Sequence, residues 1–253
     1  MYRFLFSRYW LGLLAAALAV AAACVALGMW QLDRLSHRHA RNALISRNLH
    51  AAPVPPGQLL TVGQPLPPDR KWRRVQVQGR YDETHQILVR NRPLNGSTGY
   101  HVLTPLVTAA GPALLVDRGW VPIGPTARAL PDVPPAPIGS VTVTARVRPS
   151  ERAAGGAAAP PGQVRRISVV AIAKGIPYPV YDGYAELVSQ TPSPARAPAL
   201  LPPPEPSEGP HLAYAVQWFM FACLALGSYV VLARREAETL AGRPVRVPAP
   251  VKG

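Results

Sequence analysis

Residues 9–32 read "YWLGLLAAALAVAAACVALGMWQL", and none of these 24 residues is charged. About 20 apolar residues carry a helix across the hydrocarbon core of a bilayer. A second such stretch, "HLAYAVQWFMFACLALGSYVVLA", fills residues 211–233, and its 22 residues from Leu212 to Ala233 are uncharged. Tyr9, Trp10 and Trp30 mark the ends of the first run; Tyr214, Trp218 and Tyr229 mark the second. Amphipathic rings settle at headgroup depth, so both runs are read as transmembrane helices. A cleaved leader is the alternative for the first, and Ala23-Cys24 hints at a lipoprotein site. Against it, the apolar run continues eight residues past that cysteine.

Outward from these runs, charge sets the orientation. The approach to the second, "LLPPPEPSEGP", has two acids and no cation, whereas its exit opens with Arg234-Arg235. The positive-inside rule then places both termini in the cytoplasm of a bacterial cell, in a multi-pass membrane protein. The expected layout is a cytoplasmic N-terminus (1–8), helices at 9–32 and 211–233, an extracytoplasmic segment (33–210) and a cytoplasmic tail (234–253). Small residues line one face of each helix: Gly12, Ala15, Ala19, Ala22 and Ala26 on the first, Ala215, Ala222 and Ala225 on the second. Such faces allow close helix approach or leave room for a flat ligand.

The segment between the helices is long enough to bury a core. "WRRVQVQGRY", "HQILVRNR", "YHVLTPLV", "ALLVDRGWVP", "SVTVTARVRP" and "YAELVSQ" read as strands, alternating or apolar runs bounded by Gly and Pro. "VVAIAKGI" fits a short helix or a strand. In "SVTVTARVRP" the valines face a core, and the threonines and arginines face outward. Residues 53–68 and 191–210 are proline-rich and read as extended tethers. The expected fold class is membrane α+β: two transmembrane helices flanking an extracytoplasmic antiparallel β-rich domain, a small barrel or a sandwich.

The 253 residues carry 27 Lys+Arg against 13 Asp+Glu, a net charge of +14. No basic stripe interleaves with aromatics, so anionic headgroups explain the charge better than nucleic acid. The two cysteines, Cys24 and Cys223, lie in the apolar runs, and no CxxC pair exists for thiol redox or copper chemistry. No nucleophile elbow, zinc-helix motif, P-loop or dinucleotide fingerprint occurs. "NGSTG" at 95–99 reads as a hairpin turn, and Asp82-Glu83 as turn chemistry. These features argue against an enzyme.

His37, His39 and His211 flank the outer helix ends. A neutral imidazole nitrogen is the usual ligand for haem iron. On a helix, His211, Ala215, Trp218 and Ala222 share one face, with Tyr214 beside it. That presents one nitrogen at the rim, small residues beneath and aromatic walls. The alternatives are a histidine simply solvated at the headgroups, and a copper site from His37, His39, His211 and Met29.

Five blocks in order bear a wider resemblance: "GMWQLDRL" after the first run, "RRVQVQGRY", "GYHVLTPL", "LLVDRGWVP" and "HLAYAVQWF". Together they resemble the Surfeit locus family of cytochrome c oxidase assembly factors, with Asp117 standing where the family commonly has Asn. The resemblance implies a role in maturation of the oxidase core subunit. It also implies haem a held transiently through the histidine of the second helix, here His211. Tyr214, Gln217 and Trp218 are expected to shape that site, completed by Trp30 and Gln31 at the same depth. The implied partners are the oxidase core subunit, the haem a synthesis machinery and membrane lipid. The rival expectation is a cofactor-free scaffold for oxidase subunits. Arg118 is expected to anchor its strand end, with a haem propionate as the other candidate partner.

Overall fold

The computed structural model describes residues 3–109, 111–124, 129–153, 155 and 159–242. They form two compact units, one from Met1–Asn42 together with Ser207–Gly253, the other Ala43–Pro206.

The first unit is built on two helices, α1 (Arg8–His50) and α3 (His211–Leu240), both long and apolar enough to cross a membrane. Within the unit they run antiparallel. Trp10 meets Tyr229 edge-to-face at 5.9 Å, and Ala21, Cys24 and Ala222 form a small buried cluster with Trp218 against it. In this unit burial on α1 falls on Trp10, Ala21, Cys24 and Gly28, with Leu14, Ala17 and Gln31 among the half-buried; on α3 it falls on Ala215, Ala222, Ala233 and Ala237, with Trp218, Ala225 and Tyr229 among the half-buried. These threes and fours are a heptad seam. The small-residue face of α3 is the packed one, as the sequence suggests. On α1 it is not: Gly12, Ala15, Ala19, Ala22 and Ala26 are all exposed. An alanine-rich helix offers several small faces, and the bulk opposite selects among them. At Gly28 an added Cβ would stand 2.7 Å from the Phe219 ring, so the seam runs where glycine makes space.

The second unit is a seven-stranded sheet: β1 (Arg74–Tyr81), β2 (Ile87–Leu94), β3 (Ser97–Val107), β4 (Ala113–Pro122), β5 (Val141–Arg148), β6 (Gln163–Val164) and β7 (Val180–Thr191). Its order is β1-β5-β7-β4-β3-β2-β6, and β1 also pairs with β3 through Arg80↔Val107 and Tyr81↔Leu106. That pairing closes β1, β5, β7, β4 and β3 into a five-stranded barrel. The sheet is mixed rather than antiparallel: β4 runs parallel to β7, and β2 to β6. Alternation reveals which face of a strand is apolar but not its direction, and parallel pairs need long crossovers that sequence period does not encode.

Val75, Leu106, Leu114, Val116, Val141, Val143, Ala145, Val147 and Ala185 fill the barrel. A second core outside it gathers Val89, Leu103, Leu115 and Tyr184 under α2 (Val169–Ala173), the segment left open between helix and strand. Asn95 and Gly96, at φ +49° and +78°, make the two-residue β2–β3 hairpin anticipated at "NGSTG". Asp82 caps the short 3-10 turn Glu83–His85, accepting from the Thr84 N–H at 3.0 Å.

Neither proline-rich arm is a free tether. Leu59, Leu60 and Leu66 of the first are buried in the barrel core. The second is extended but docked: Ala199 exchanges backbone hydrogen bonds with Trp120 at 2.8 Å, and Arg146 donates to Leu201 O at 2.9 Å. Polyproline-like chain makes no internal hydrogen bonds, so its carbonyls, and the Ala199 N–H, are available to strap a polar sheet face.

Candidate functional site

At Gly209 the backbone takes φ +67°, in the region that favours glycine, and Pro210 then caps α3. The first helical residue is His211. Its Nδ1 stands 2.9 Å from Gln31 Oε1 on α1. A carbonyl oxygen only accepts, so Nδ1 is the donor, and in the Nδ1–H tautomer the lone pair lies on Nε2. A Cβ added at Gly209 would lie 3.5 Å from Nε2. Glycine therefore leaves Nε2 unshielded from that side. One oriented imidazole of this kind fits a single nitrogen ligand for haem iron, with Gln31 as its orienting partner.

The other expected site residues are distributed differently. Trp218 lies on the His211 face, but against the Ala21–Cys24–Ala222 cluster. Tyr214 and Gln217 are exposed on α3, and Trp30 is exposed on α1 with the Arg34 guanidinium 5.4 Å from its ring centre. The structure thus joins His211 to Gln31 and Trp218 to the seam, and turns Tyr214, Gln217 and Trp30 outward. Helix α1 occupies the seam beneath His211. Of the copper candidates, His37 faces Asp33 at 3.6 Å, His39 faces Glu208 at 3.1 Å and Met29 is exposed. Among the described residues no three His, Cys, Asp or Glu side chains are grouped to hold a metal ion.

In the β unit, Arg118 is 1% exposed. It donates to Pro134 O at 2.9 Å, Pro135 O at 2.8 Å and Gln86 Oε1 at 3.2 Å, and lies over the Tyr81 ring. Burial pulls its pKa down, opposed by Tyr81 and Glu83. It anchors the chain around Pro134 and is spent on that task, so no fork is left for a propionate. Asp117 is equally buried: its Oδ1 accepts from the Gly119 N–H at 3.1 Å and its Oδ2 lies 2.7 Å from His101 Nδ1. The second contact uses the charge that an asparagine there would lack.

Sequence reasoning missed a charged row across the outer sheet face. Arg74 opposes Arg146, Arg146 opposes Glu186, and Asp117 opposes Glu186 on the neighbouring strands. Arg146 and Glu186, each 5% exposed, are buried where alternation places solvent. The signal was the proline-rich arm, whose free carbonyls suit an arginine face. Burial raises the Glu186 pKa, against the pull of Arg148. Asp82 goes the other way: burial would raise it, but donors from Thr84, Tyr178 and His85 hold its carboxyl well below the usual range.

The SURF1 family model matches residues 18–223. A SURF1-like protein of Mycobacterium tuberculosis is 32% identical over 269 residues, covering 98% of this chain and 94% of its own length. The cytochrome oxidase assembly protein SHY1 of Saccharomyces cerevisiae is 29% identical over 96 residues, 38% of this chain and 24% of its own. A SURF1-like protein of Rickettsia felis is 30% identical over 98 residues, 38% of this chain and 40% of its own.

Proposed function

Because the chain belongs to the SURF1 family, we propose that it is a membrane-anchored cytochrome c oxidase assembly factor that holds haem a transiently for the oxidase core subunit. The name of the yeast relative supports the assembly role. The observation that carries the haem reading is the His211–Gln31 contact at 2.9 Å, which orients the ring through Nδ1 and leaves Nε2 without a protein partner among the described residues.

When bound, haem a would supply the iron centre. His211 supplies that nitrogen, Gln31 orients it, and the exposed rings of Tyr214 and Trp30 offer apolar contact at the same end of the helix pair. A single protein ligand suits a carrier, since a second strong bond would slow release. Helices α1 and α3 cross the membrane, with both termini in the cytoplasm and the β unit outside.

The test is to express the chain alongside haem a synthesis, purify it in detergent and record its visible spectrum. A Soret band that disappears in His211→Ala supports the carrier. No band in the wild-type protein leaves the cofactor-free scaffold.

A further inference from the structure

Two arginines share one buried carboxylate on the outer sheet face, and a third stands opposite one of them. Arg146 Nη2 lies 3.5 Å from Glu186 Oε2, and Arg148 pairs with the same residue. Arg74 stands directly opposite Arg146 across the β1–β5 ladder and makes no ion pair among the described residues. Like charges in direct opposition destabilise a sheet. The Nε atoms of Arg74 and Arg146 are buried and meet no acceptor among the described residues. Both arginines line a cavity of about 440 Å³, within the size range of small-ligand pockets. His50 also lines it, and Leu49, Val188 and Pro203 make it largely apolar. The exposed Glu205 lines it too.

We propose that this cavity binds an amphiphilic phosphate, with the head between Arg74 and Arg146 and the chain along Leu49, Val188 and Pro203. Arg146 Nη2 already donates to Leu201 O at 2.9 Å, but the remaining donors of Arg74 and Arg146 exceed what Glu186, shared with Arg148, accepts, whereas phosphate oxygens serve both. The apolar wall selects against the bare ion, because inorganic phosphate gains nothing from it. An anion there also removes the repulsion between the two arginines, a task that Glu186 already shares with Arg148.

The test is calorimetric titration of the full chain in a neutral maltoside detergent with octyl phosphate, inorganic phosphate and octyl glucoside. Octyl phosphate is expected to bind about tenfold or more tightly than inorganic phosphate, from the burial of its chain, and octyl glucoside to give no saturable heat. Arg74→Gln, which relieves a like-charge contact and so folds, should weaken octyl phosphate binding about tenfold by removing a charged donor. Glu205→Gln should tighten it, and the exposed Arg165→Gln should leave it unchanged. Equal affinity for inorganic and octyl phosphate overturns the amphiphile; wild-type affinity in Arg74→Gln, or no saturable binding, overturns the site.

Discussion

His211 Nδ1 donates to Gln31 Oε1 at 2.9 Å, joining residues 180 positions apart in the chain. The contact orients a ligand through its second nitrogen. Gln31→Leu should therefore lower haem retention by about 10–100-fold, the usual cost of losing an orienting partner. It should also raise the potential of any bound haem, because the imidazole becomes a weaker donor. Spectral titration and redox potentiometry of the purified variant check both. A purely structural Gln31 would leave the potential unchanged.

The α1 seam makes a prediction about helix packing. Gly28→Leu would drive a side chain into the Phe219 ring, which an added Cβ already approaches to 2.7 Å. Overpacking of this kind costs about 1–3 kcal/mol. Ala19→Leu, on the exposed face of the same helix, should cost nothing measurable. Disulfide trapping between cysteines placed at Trp10 and Tyr229 should persist in the second variant and fade in the first.

Arg118 holds two backbone carbonyls that no other residue described here serves. Arg118→Met strands both in the interior, at about 1–3 kcal/mol for each unsatisfied group. The midpoint of thermal unfolding of the β unit, followed by circular dichroism, should fall clearly. A variant that melts with the wild type would show that the loop around Pro134 does not depend on this side chain.

Asp82 sets an acid limit. Its folded-state pKa is depressed by Thr84, Tyr178 and His85, below an unfolded value of about 3.9. The stability it contributes is thus fully present above about pH 4 and is lost as pH falls through the folded value. Thermal melts between pH 7 and pH 3 should show Asp82→Asn less stable than wild type at pH 7. The gap should narrow toward pH 3. A constant gap would mean the charge of Asp82 is irrelevant.

Orientation is checked by fusion. A reporter active only in the cytoplasm should work when joined at the C-terminus and stay silent near residue 155. The reverse pattern would place the β unit inside.

Much of the architecture was legible in the residues. The uncharged runs at 9–32 and 211–233, the strand of "SVTVTARVRP" and the Asn95-Gly96 turn each encode local structure through composition or period. His211 stood out because an imidazole opens an apolar helix. Less legible was anything that depends on what lies opposite. Strand direction, the closure of β1 onto β3, and the burial of Arg146 beneath a proline arm follow from partners far away in the chain.

By itself the sequence determined where the two apolar helices and most of the strands lie, because hydrophobic period and turn residues act over a few positions; that α1 continues to His50 and that Val169–Ala173 is helical it left open. Tertiary structure alone decided which α1 face packs, where Trp30 and Tyr214 point, and that His211 meets Gln31. Those outcomes turn on the volume and hydrogen-bonding capacity of neighbours brought together by folding, and Gly28 against Phe219 is the plainest case.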